Sequence, residues 1–290
     1  MNKTIATLLM AFLVQYVMAA PSIIEPTTDG KYIIKTGDVS MTVDTNGGKI
    51  LSFKYGDAEV ISQTQFPNSF GSTFWTSPQR EWNWPPVAEY DRMPYTVEVG
   101  ESLVMTSEVS ARMKYRIKKT FKPVKSNHSI SVTYSIKNES NETRKVAPWE
   151  ITRVPNDGII FFDAPYDGIT PVGLLKFTTD NDMSWYVADE ASQNRKVNAD
   201  GKGWLAYCAN GLLLVKKFQD LNATQPAPGE AEIQVYVNQR KTFIEIESQG
   251  AYTVLKPGEE LQWTVSWHLL PYDGKAEPGK ALAKKVKGIL

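Results

Sequence analysis

The chain has 290 residues, 32 basic and 32 acidic, for a net charge of zero. Such a balance argues against a nucleic-acid binder or a polybasic membrane surface. A single cysteine excludes an internal disulfide framework, and two histidines exclude a His-rich metal site, so no metal or cofactor is expected.

In chain order, Met1 to Ala20 reads as a secretory signal, with Lys3 before an apolar run from Ile5 to Val17 and small residues Ala19 and Ala20 at the cut. Export to the periplasm or beyond the cell is expected. No later stretch is apolar enough to cross a bilayer. An exported chain without disulfides fits a bacterial protein with a sufficient core of its own. Residues 21–290 are expected to fold as a single domain and to act as a monomer.

Short period-2 runs then dominate. Lys31 to Lys35, Val39 to Asp44, Lys49 to Tyr55 and Val60 to Ser62 are strand-like, and Asn46-Gly47-Gly48 supplies a hairpin turn. The next stretch, FGSTFWTSPQREWNWPP from Phe70 to Pro86, holds three of the eight tryptophans. Its Gly, Ser and Pro residues predict a loop. Trp75, Trp82 and Trp84, mixed with Gln79 and Arg80, suit a surface that stacks on a sugar ring and binds its hydroxyls. The alternative is a loop whose tryptophans plug the edge of a core.

Further strands are predicted at Tyr95 to Glu98, Leu103 to Ser107 and Met113 to Phe121. His128 to Asn138 alternates Ile130, Val132, Tyr134 and Ile136 with polar residues, the cleanest strand signal in the chain. Arg144 to Arg153, Ile159 to Phe162, Leu174 to Phe177, Trp204 to Ala209 and Leu212 to Phe218 follow. Cys208 falls inside this buried-strand pattern. Glu232 to Val237, Phe243 to Gln249, Ala251 to Leu255 and Leu261 to Leu270 complete the strands, and only Pro278 to Ile289 reads as helical. Fifteen or more strands require at least two packed sheets, since one open sheet would curl or split.

The nucleophile elbow, the phosphate-binding loops and the zinc-protease motif are all absent. His128 and His268 read as structural. Acid–base chemistry would therefore rest mainly on carboxylates, tyrosines or lysines. Glu150 sits in APWEITRV, and Glu245 and Glu247 alternate with isoleucines in FIEIESQG, which puts those two acids on one sheet face. Arg153, Arg240 and Lys241 are candidate partners. A solvated outer face and an acidic cleft both fit this pattern.

Two stretches carry a family resemblance. SMTVDTNGGKILSFKYGDAEVI, Ser40 to Ile61, resembles the N-terminal hairpin of the galactose mutarotase-like superfamily, with its G-G-x-I-x-S-F pattern. FIEIESQGAYTVLKPGEELQWTVSWHLLPY, Phe243 to Tyr272, is similar to that family's closing segment. The resemblance implies an all-β fold, a β-supersandwich of large antiparallel sheets, in an exported branch distinct from aldose 1-epimerases proper. In those epimerases a late glutamate takes the proton from the anomeric hydroxyl, and a mid-chain histidine protonates the ring oxygen. Glu247 matches the glutamate, with Glu245 as the neighbouring alternative. At the histidine's place stands Ala147-Pro148-Trp149-Glu150-Ile151-Thr152, and at a second, earlier histidine's place stand Gln79 and Arg80.

The resemblance therefore implies a mono- or oligosaccharide ligand held by Trp75, Gln79, Arg80, Trp82, Trp84, Arg153 and Glu245. Catalysis would use Glu247 with Glu150, as an epimerase, hydrolase or lyase. The alternative is a non-catalytic glycan-binding or envelope interaction protein.

Overall fold

The computed structural model describes residues 23–290 apart from 65, 67 and 68. The expected export signal lies outside the described residues. The chain opens with β1 (Ile23–Pro26), β2 (Lys31–Thr36), β3 (Val39–Asp44) and β4 (Ile50–Tyr55), each antiparallel to the next, with β5 (Ala58–Glu59) folded back on β4. β6 (Ser72–Ser77) and the short helix α1 (Ala88–Asp91) follow. Then come β7 (Thr96–Val99), β8 (Leu103–Thr106), β9 (Tyr115–Val124), β10 (Ser129–Asn138) and β11 (Arg144–Val154). The middle supplies β12 (Ile159–Phe162), β13 (Phe177–Asp180), β14 (Met183–Val187), β15 (Arg195–Ala199), β16 (Trp204–Ala209) and β17 (Leu212–Lys217). β18 (Ile233–Val237), β19 (Ile244–Gln249), β20 (Thr253–Leu255), β21 (Glu260–Pro271) and the helix α2 (Lys280–Lys287) close the chain.

These strands form two large antiparallel sheets. The first runs β1-β2-β3-β4-β6-β11-β19-β18-β15, with β5 and β20 paired at its sides; the second runs β13-β14-β12-β16-β17-β21-β10-β9-β8-β7. Alternation sets their inner faces. On β10, Ile130, Val132, Tyr134 and Ile136 are buried against the first sheet, while Ser131 and Thr133 keep contact with water. Phe74 of β6 stacks on Tyr134 at 4.3 Å, and Phe53 of β4 meets Trp267 of β21 edge-on at 5.3 Å. These contacts tie one sheet to the other. α2 covers the outer face of the second sheet, where Leu282, Ala283 and Val286 pack with Phe161, Trp185 and Val215.

Three expectations are corrected. The stretch from Phe70 to Pro86 is not one loop: Ser72–Ser77 is a strand at the middle of the first sheet, with every residue buried. It lacks period-2 alternation because both of its faces are covered. Val60 to Ser62 follows β5 instead of forming a strand, and Leu174 to Phe177 is mostly turn, with β13 beginning only at Phe177.

Candidate functional site

The inner face of the first sheet packs on the second sheet, and its outer face forms the floor of a cleft. On β11, Trp149, Ile151 and Arg153 point to this outer face with their register partners Gln249, Glu247 and Glu245 on β19. On the other side of β11, Trp149 pairs with Trp75 of β6. The two indoles meet edge-on at 5.4 Å, and Trp84, reaching over from the loop beyond β6, meets Trp75 edge-on at 6.0 Å. Trp84 is 54% exposed. A cavity of about 440 Å³ opens here, bounded by Trp75, Trp84, Trp149, Tyr236, Phe66 and Phe243, with Gln79, Asn238, Lys196, Glu245 and Ser69 supplying polar groups. That size and mixture suit a small-molecule ligand site.

Each wall has a local cause. Trp75 is locked by its indole N–H, which donates to Asp91 Oδ1 at 3.0 Å. The Thr73 hydroxyl donates to the same oxygen at 2.8 Å, and Lys49 pairs with Oδ2 at 3.1 Å. Burial alone would push the Asp91 carboxyl up, but the Lys49 charge and these bonds hold it below its ordinary value. α1, which carries Asp91, rests on the hairpin turn: a Cβ on Gly47 would lie 2.1 Å from the Asp91 carbonyl oxygen, and the residue has φ +73°. Only glycine fits there.

Beneath the cavity, Glu247 is fully buried. Its Oε2 accepts from Trp149 Nε1 at 2.8 Å and from Lys196 Nζ at 2.9 Å, while Oε1 has no hydrogen-bond partner among the described residues. Burial pushes its carboxyl above the ordinary range, Lys196 pulls it back, and neighbouring Glu245 adds to the rise. Lys196 also lies 4.8 Å over the Trp149 ring and is partly exposed to the cavity. Arg153 is buried and pairs with Glu245 at 2.8 Å, beneath the Trp75 and Phe243 rings. Two cation–carboxylate pairs, Lys196–Glu247 and Arg153–Glu245, thus lie at or just behind the wall of one aromatic cleft.

The expected site residues divide. Trp75, Gln79, Trp84 and Glu245 line the cavity, with Glu247 and Arg153 just behind. Trp82 does not line it: it is buried, donates to the Thr76 carbonyl at 2.7 Å and props Trp75 edge-on at 5.5 Å. Arg80 is exposed on the short helical turn Gln79–Glu81 and lies outside the lining. Glu150 departs furthest from expectation. It points into the core, where its Oε1 accepts from Tyr134 at 2.6 Å and Trp267 at 3.1 Å, and its Oε2 pairs with Lys216 at 2.5 Å. Glu150 and Glu247 therefore cannot share one reacting centre. Neither histidine lines the cleft.

Lys196, Tyr236, Asn238 and Phe243 also line the cavity, beyond the residues the sequence points to. The signal for Lys196 was present in RKVNA, where Lys196 and Asn198 alternate with buried Val197 and Ala199. No group of three or more metal-ligating side chains occurs among the described residues.

No protein-family model and no curated protein matches the chain. Solved structures do. A proposed aldose 1-epimerase from Escherichia coli K12 superposes with a TM-score of 0.59 at 14% identity, covering 87% of this chain and 100% of that one. A galactose mutarotase-like protein from Lactobacillus casei gives 0.58 at 11% identity, covering 83% and 100%. Another from Clostridium acetobutylicum gives 0.55 at 9%, covering 87% and 99%. The chain has the galactose mutarotase-like fold. At these identities the likeness defines the architecture.

Proposed function

We propose that the protein binds carbohydrate in the Trp75–Trp84–Trp149 cleft, and that it does so as an exported protein. The carrying observation is the half-exposed Trp84 indole, held at right angles to Trp75 over a floor of Lys196, Glu245, Gln79 and Asn238. An indole face receives the C–H surface of a pyranose, and the floor supplies donors and acceptors for its hydroxyls. The structural neighbours, a proposed aldose 1-epimerase and a galactose mutarotase-like protein, are consistent with a sugar ligand.

Recognition is better supported than turnover. The sequence resemblance matches Glu247 to the base and puts Trp149 or Glu150 where the acid would stand; Glu150 faces the core, and the Trp149 indole N–H does not protonate a ring oxygen. One observation favours a second reading: Lys196 is 2.9 Å from Glu247 and reaches the cavity, so it can offer a proton where the histidine is missing. Calorimetric titration with common aldoses and their oligomers tests binding, and the expected result is saturable heat for at least one sugar. Failure of the whole panel overturns the assignment. Anomer exchange followed by NMR on the sugar that binds separates the two readings, since exchange no faster than buffer leaves recognition alone.

A further inference from the structure

A second cavity, of about 620 Å³, draws part of its lining from the same segments as the aromatic cleft. Its inner wall is the turn after β11, where Asn156 is 6% exposed. Neither Asn156 Oδ1 nor Nδ2 has a hydrogen-bond partner among the described residues. A buried amide left without partners is unfavourable unless a ligand supplies them. The adjacent Asp157, by contrast, has a partner on each oxygen: it accepts from the Tyr207 hydroxyl at 2.7 Å and from Asn210 at 2.9 Å. Asn156, whose amide atoms are buried just behind the cavity wall, is thus the group in this turn with bonds still to make.

The facing wall carries Lys241 and Thr242. It is delivered by two successive left-handed residues, Arg240 at φ 58° and Lys241 at φ 52°. Non-glycine residues adopt that region at a cost, and such residues concentrate where a side chain must be aimed. The third wall, Ser62 to Thr64, is tied to the end of β11 by the Ser62 N–H, which donates to the Arg153 carbonyl at 2.9 Å. The lining contains hydroxyls, amides and one charge of each sign but no aromatic ring. This chemistry recognises hydroxyl groups and offers no stacking platform.

The two cavities take neighbouring residues from two segments. Thr242 lines the second and Phe243 the first; Thr64 lines the second and Phe66 the first. We infer that the Asn156 cavity is a second subsite of the same cleft. The ligand is then an oligosaccharide, with one unit against Trp84 and the hydroxyls of a neighbouring unit on Asn156, Lys241 and Thr242. This rests on the assignment of the aromatic cleft to sugar.

Titration calorimetry with glucose, galactose, mannose and N-acetylglucosamine, each as one to four linked units, tests it. Affinity is expected to rise at least tenfold from one unit to two or three. Asn156→Ala should lower oligosaccharide affinity about tenfold more than monosaccharide affinity, with an unchanged melting temperature. Thr242→Val, on the opposite wall, should act in the same direction if Asn156→Ala proves poorly folded. Equal affinity at every length, or a length increment that survives both substitutions, overturns the subsite and leaves the cleft standing. Absence of binding by every sugar overturns the cleft assignment and the subsite with it.

Discussion

Glu150 and Glu247 lie on neighbouring paired strands and point to opposite faces of one sheet. Glu150 is in register with Ser248, and Glu247 with Ile151, so the two acids are one residue out of step. Each has its own lysine. Lys216 reaches Glu150 from the second sheet, inside the core, whereas Lys196 reaches Glu247 from β15 at the edge of the cleft. One pair is sealed and the other is open to a ligand.

The sealed pair gives a stability prediction. Both its side chains are fully buried, and Lys216 also donates to the Thr152 hydroxyl at 2.8 Å. Burial lowers the Lys216 pKa even beside Glu150. Lys216→Met leaves the Glu150 carboxylate in the core without its counter-charge, held only by Tyr134 and Trp267, and should cost about 3–5 kcal/mol. Adding Glu150→Gln removes that charge and should recover much of the loss. Urea denaturation of the single and double variants measures this, and equal losses would count against a charge-based penalty.

Trp84→Ala should weaken sugar binding about tenfold, or roughly 1.4 kcal/mol. Because the side chain is half-exposed, stability should change by no more than about 0.5 kcal/mol. Calorimetry and a thermal melt on the same sample separate the two effects. Trp82→Ala should do the reverse, losing stability first, since that indole is buried and bonded to the Thr76 carbonyl.

Glu247→Gln keeps an acceptor for Trp149 Nε1 and removes the charge that holds Lys196. Sugar affinity should fall several-fold, and any anomer exchange seen with the unaltered protein should disappear. Exchange that persists in the variant would rule out Glu247 as the base.

Glu232 sets a pH dependence. It is fully buried, and its two oxygens accept from the Gly203 and Leu221 backbone N–H groups. Burial pushes its carboxyl from 4.5 up to about 7, against the pull of those bonds, with Asp220 and Asp200 adding to the rise. Between these values the folded chain holds a proton that the unfolded chain has released. Stability from this group is therefore complete below pH 4.5 and falls as pH rises toward 7, by up to about 1.4 kcal/mol per pH unit. Urea midpoints across that window test it. Glu232→Gln should flatten this part of the profile while lowering stability at its acid end, because an amide has one acceptor oxygen for two N–H donors.

Gly47→Ala should be among the most damaging small substitutions. It forces a positive φ on alanine and drives a methyl group into the Asp91 carbonyl. A loss of at least about 1–2 kcal/mol is expected. Because Asp91 fixes Trp75, sugar affinity should fall along with the melting temperature.

Much of the fold is legible in the sequence because alternation survives wherever a sheet has one wet face, as along β10 and at the Asn46-Gly47-Gly48 turn. β6 hid because both of its faces are covered and its residues are small or aromatic. The cleft was half legible. Trp75, Trp84 and Glu247 stand out by residue type, and period 2 alone puts Glu245 and Glu247 on a common face. The parity of Glu150 relative to Glu247 depends on the β11–β19 register, which is a property of pairing between distant segments. Asn156 carries no signal in sequence, since an asparagine after a strand reads as an ordinary turn residue.

Of the eight tryptophans, seven are at most 5% exposed and Trp84 alone stands in water. The molecule therefore carries an optical reporter at the mouth of its own cleft. Acrylamide should quench a red-shifted emission component belonging to Trp84, and a bound ring should shield it. Screening for the natural ligand then needs neither label nor engineered dye.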